Sequence, residues 1–173
     1  MPKKIAAAVL VFSTAAAARA LNSLTFSVTA TLSFPSANPT TTPIVAGSAP
    51  VTATIFIVNP NRESVTLTVG ANGPNLVSGA GDTIGVGNIT WNASSANWVH
   101  SVPPQNVAFW NAEAGPQALT TGNVTVITGN DGRAKSATDT VTGTVVHDFT
   151  FQNSWAYSTG AYTQTLTWTV TAN

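Results

Sequence analysis

Cysteine is absent from the 173 residues, methionine occurs once, and only six acidic and six basic side chains are present, so 7% of the chain is charged. Without thiols there is no disulfide framework, thiolate metal site or cysteine nucleophile, and the folded chain must rest on its apolar core. An average soluble domain is about one quarter charged. Disorder is excluded on different grounds, because it requires low hydrophobicity and high net charge, whereas this chain is 43% hydrophobic with a formal net charge of zero. Polarity comes instead from hydroxyls and amides, with 28 threonines. That bias favours strands and turns.

The N-terminus carries an unequal share of the charge. Lys3 and Lys4 precede an apolar run from Ile5 to Phe12, and the stretch closes with Ala18-Arg19-Ala20. This order predicts a secretory signal peptide over residues 1–20, its apolar run too short to span a bilayer. The expected mature chain begins at Leu21 and is secreted or held at the cell surface, with no membrane span. It keeps Arg62, Arg133 and Lys135 against Glu63, Asp82, Glu113, Asp131, Asp139 and Asp148, a formal charge of −3. Such a chain has nothing to hold a phosphate backbone, which argues against nucleic acid.

Leu24, Phe26, Val28, Ala30, Leu32 and Phe34 alternate with Thr and Ser, the period-two signature of a strand with one apolar face. Residues 21–34 are therefore an N-terminal amphipathic strand. Residues 35–50, rich in Pro and Thr, read as a linker or long loop. The body, 51–173, opens with an uncharged strand, Val51 to Val58, whose expected hairpin partner is Val65 to Val69. From Gly70 to Gly122 the pattern loosens around a short strand at Asn88 to Trp91. Further strands are expected at Asn123 to Thr128, Thr138 to Phe151 and Ala161 to Thr171. Many short strands with Gly and Pro turns predict an all-β fold, an antiparallel two-sheet β-sandwich. A jelly roll or small barrel is the alternative.

Chemistry is sparse. His100 and His147 lack the spacing of a metal pair, and His147 and Asp148, being adjacent, point to opposite faces of a strand. The Gly79-Ala-Gly81-Asp-Thr-Ile-Gly85-Val-Gly87 run lacks the Lys and the helix of a phosphate loop and reads as a surface turn. Asn130-Asp131-Gly132 offers too few oxygens to define a calcium site near Asp131 and suits a hairpin turn. Asn88, Asn92 and Asn123 each begin a glycosylation sequon. No catalytic residue, metal ligand or cofactor is assigned. Among the five tryptophans, Trp91, Trp155 and Trp168 are expected in the core. Trp98 and Trp110, in the irregular middle, are the candidates for stacking a glycan.

Thr25-Phe-Ser-Val-Thr-Ala-Thr-Leu32 resembles the opening of spore-coat-U-type and archaic fimbrial subunits, and Gly160-Ala-Tyr-Thr-Gln-Thr-Leu-Thr-Trp-Thr-Val-Thr171 resembles their closing strand. The end is also similar to the last strand of the Trp-x-Leu surface domain. The disulfide usual in such fimbrial subunits is missing. The resemblance implies an exported immunoglobulin-like sandwich that is structural or adhesive and not an enzyme. The expectation is self-association with identical subunits by donation of the N-terminal strand through Leu24, Phe26, Val28, Leu32 and Phe34. The alternative is a monomeric module for cell-wall polysaccharide or glycan. A secreted hydrolase built on the carboxylates ranks last.

Overall fold

The computed structural model describes residues 5–6, 8–9, 23–28, 31–58, 64–101, 110–112, 115–130 and 140–172. These residues form strands and one short 3-10 turn, Val86–Asn88, and contain no α-helix. In chain order the first strands are β1 (Ile5–Ala6), β2 (Ala8–Val9), β3 (Ser23–Val28), β4 (Thr31–Leu32), β5 (Ile44–Ala46) and β6 (Val51–Val58). Next come β7 (Ser64–Ala71), β8 (Asn75–Ser78), β9 (Thr83–Gly85), β10 (Ile89–His100) and β11 (Trp110–Ala112). The last are β12 (Gln117–Ala118), β13 (Val124–Asn130), β14 (Thr140–Gln152), β15 (Gly160–Thr163) and β16 (Leu166–Ala172).

Two sheets make the body. One runs β12-β10-β14-β6-β3, with β5 added beside β14, and the other runs β11-β13-β7-β16. All pairings within both are antiparallel. Their apolar faces meet in one core that takes Ile55 and Ile57 from β6, Phe149 and Phe151 from β14, Leu67 and Val69 from β7, and Trp168 from β16. The arrangement is all-β and sandwich-like. A smaller sheet carries β15, β8 and β9, with β1 lying parallel to β15, and β2 pairs with β4. Apart from β1 and β2, the expected signal peptide lies outside the described residues.

Period-two alternation builds the central strands. In β6 Val51, Ala53, Ile55 and Ile57 are buried while Thr52, Thr54, Phe56 and Val58 are half-buried. In β14 the inward set is Val141, Gly143, Val145, His147, Phe149 and Phe151. Two bulges break this regularity, and each flips which parity faces the core. Between Ala93 and Ser95 the β10 register shifts, so Trp91 is buried before the bulge and Trp98 and His100 after it. Between Thr125 and Ile127 a second shift buries Val126 and Ile127 side by side.

Two expected pairings are corrected. β6 and β7 do not form a hairpin: they lie in different sheets, because the edges of β6 are taken by β14 and β3 and those of β7 by β13 and β16. The expected single strand Ala161 to Thr171 divides into β15 and β16. At the break, Gln164 Nε2 donates to the carbonyls of Gly73 (2.9 Å) and Asn75 (2.6 Å), while its Oε1 accepts from the Thr165 amide. The glycine-rich run forms the β8–β9 turn, where Gly81 adopts φ +88° and the Ser78 hydroxyl accepts from the Asp82 amide. Only glycine enters that left-handed region without strain.

Residues 35–50 are stitched to the body. Asn38 Oδ1 accepts from the Thr40 amide to shape a turn, Ile44–Ala46 pairs with the end of β14, and Asn153 Nδ2 donates to the carbonyl of Ala37. Ile57→Ala, which empties a fully buried position, is expected to lower unfolding stability by about 2–5 kcal/mol in chemical denaturation. Ile44→Ala, at a position 63% exposed, is expected to change it by less than about 0.5 kcal/mol.

Candidate functional site

The N-terminal strand occupies the edge of the larger sheet. Ser23–Val28 pairs antiparallel with β6, with Leu24 opposite Ile57, Phe26 opposite Ile55 and Val28 opposite Ala53. Among the described residues β3 pairs with no other strand. Leu24, Phe26 and Val28 are only half-buried, packed against the margin of the core. Leu32 and Phe34, expected on the same strand, behave differently. Both are buried, and the Phe34 ring lies 5.7 Å from that of Phe151. The stretch thus divides into an edge strand, 23–28, and a pinned segment that begins at β4. The sequence pattern alone could not show the division, because both halves keep the same alternation.

β3 carries no charge and no proline. Natural edge strands are usually guarded by Lys, Pro or a bulge, which hinder pairing with another chain. None of these guards is present here. The strand it covers, β6, is equally uncharged along its eight residues, so removing β3 would expose an unpaired, apolar edge.

The tryptophans are distributed otherwise than expected. Trp91 and Trp168 are in the core, as their strand positions require. Trp98 is also buried, turned inward by the β10 bulge, and presents no ring face for a glycan. Trp155, expected in the core, is 49% exposed in the turn after β14, where its Nε1 donates to Thr40 Oγ1 at 3.1 Å. The side chain of Trp110 and the residue Asp131 lie outside the described residues. Of the sequon asparagines, Asn92 and Asn123 are exposed, whereas Asn88 is half-buried with its Nδ2 donating to the Gly85 carbonyl. Among the described residues no three His, Cys, Asp or Glu side chains gather closely enough to hold a metal ion.

One histidine lies between two core tryptophans. His147 is fully buried between Trp91 and Trp168, its ring centroid 5.7 Å from the first and 5.2 Å from the second. The Trp168 contact crosses from one large sheet to the other. Neither imidazole nitrogen has a hydrogen-bond partner of good geometry. Burial pushes its pKa down to about 4, with the Val51 backbone and the Asp148 carboxylate opposing only in part. The neutral ring is therefore the folded form.

Compared with known proteins, the chain matches no protein-family model and no curated protein.

Because the folded-state pKa of His147 lies below the unfolded value of 6.5, its effect on stability is absent above that value. As pH falls from about 6.5 towards 4, the unfolded chain takes up the proton first and stability is lost. The expected loss across this window is about 3 kcal/mol. His147→Phe should flatten that part of the profile, measured by urea unfolding at a series of pH values.

Proposed function

We propose that the chain is an exported, non-enzymatic structural or adhesive surface protein with an immunoglobulin-like body, assembling with identical subunits by exchange of its N-terminal strand. The observation that carries this reading is the setting of β3: outermost, uncharged, half-buried and followed closely by the pinned residues Leu32 and Phe34. Exchange replaces the bonds of β3 to its own β6 with the same bonds to a neighbour's β6, so little enthalpy changes and concentration sets the outcome. Leu24, Phe26 and Val28 are then the donated anchors. Leu32 and Phe34, both buried, keep the donor attached to its own core. Threonine-rich outer faces suit lateral packing between subunits, since few ions would need to be stripped of water.

The absence of native cysteine permits a direct test. Ser27 and Thr54 are Cα partners across β3 and β6, so a cysteine pair placed there locks the strand to its own body when oxidised. The oxidised protein is expected to elute as a monomer in size-exclusion chromatography. Reduction should yield assemblies visible by negative-stain electron microscopy. The same size under both conditions would refute strand exchange.

A further inference from the structure

The outward face of the larger sheet carries a trough away from β3. One lobe, about 340 Å³, is lined by Pro43, Asn88, Gln152 and Asn153, and a second, about 470 Å³, by Asn92, Pro116 and Asp148. Ile44, Thr90 and Thr150 line both lobes, so the two run on from one another. Each is of the size that holds small ligands.

The register explains the trough. Ala46, Thr150, Thr90 and Ala118 are successive partners across β5, β14, β10 and β12. Thr90 and Thr150, the two short side chains of this row that line both lobes, make a low floor. Longer ones rise beside it: Gln152 is opposite Ile44, and Asn92 is opposite Asp148. Thr90 Oγ1 and Thr150 Oγ1 are 2.6 Å apart, and whichever donates, the other keeps its proton for an incoming acceptor.

We propose that this trough binds a neutral polysaccharide chain. Its polar groups are amides and hydroxyls, which exchange hydrogen bonds with sugar hydroxyls in both directions. Among the described residues that line it, Asp148 is the one charged group and none is a cation that would hold an anionic ligand. An extended peptide is a poorer occupant, because it binds by adding to a free sheet edge, and the strands of this floor are paired with one another. Two lobes joined across a saddle match a linear polymer. At one end Asn153 is nine-tenths buried, with Nδ2 tied to the Ala37 and Thr42 carbonyls and Oδ1 left without a partner. Two residues on in sequence, beyond the residues that line the lobes, Trp155 is held by Thr40 and half-exposed. Its indole face offers the flat apolar surface on which the C–H face of a sugar ring packs. The site needs neither Trp98 nor strand exchange, and it works equally in a monomer.

The test is native electrophoresis of the full chain in gels containing hydroxyethyl cellulose, laminarin, xylan or mannan, with polygalacturonate as the anionic control. At least one neutral polymer should retard the protein, and polygalacturonate should not. Trp155→Ala, and separately the pair Asn92→Ala with Gln152→Ala, should each weaken retardation about tenfold or more. All these positions are exposed, so the thermal unfolding midpoint should stay in place. Retardation by none of the four neutral polymers, retardation by polygalacturonate alone, or variants that bind like the parent would overturn the proposal.

Discussion

Thr140–Gln152 has to satisfy neighbours on both of its edges at once. β10 lies along one side, and β6 followed by β5 along the other. A strand committed on both edges cannot slide without breaking every ladder it belongs to. A slip of one residue would also turn Asp148 and Gln152 inward and expose Phe149 and Phe151. This double commitment fixes the inward set of side chains, the meeting of the sheets across His147 and Trp168, and the outward row on which the trough is built.

Charge is nearly absent from this framework, and threonine replaces it. Along β14 the half-buried outward positions include Thr140, Thr142, Thr144 and Thr150, and along β16 they are Thr167, Thr169 and Thr171. A β-branched residue fits the pleated surface while its hydroxyl meets water. Hydroxyls hydrate a face without repelling a similar face. The same choice leaves β3 and β6 without the charges that elsewhere keep sheet edges apart.

Much of the architecture was legible in the sequence wherever alternation ran unbroken. β6, β14 and the Leu166–Ala172 strand lie where strands are expected, and the all-β class follows from them. The failures have physical causes. A bulge adds one residue and reverses parity, so Trp98 turns inward although the stretch around it reads as irregular and offers it for exposure. Pairing partners depend on free edges elsewhere in the fold, so neighbouring β6 and β7 read as a hairpin while belonging to different sheets. The stretch 35–50 reads as a linker or long loop because it is rich in Pro and Thr, and its short pairing with β14 through Ile44–Ala46 has no alternation long enough to announce it. The trough had no linear signature. Its lining comes from four separated stretches that the register brings together.

The pairing of Ile44–Ala46 with Thr150–Gln152 joins segments about 100 residues apart in sequence. Contacts so distant in sequence form late, because a long loop must close before they contribute. During synthesis the larger sheet cannot be completed until β14 has emerged. Until then β6 lacks the partner on one of its edges, and that uncharged edge stands open to other chains while synthesis proceeds.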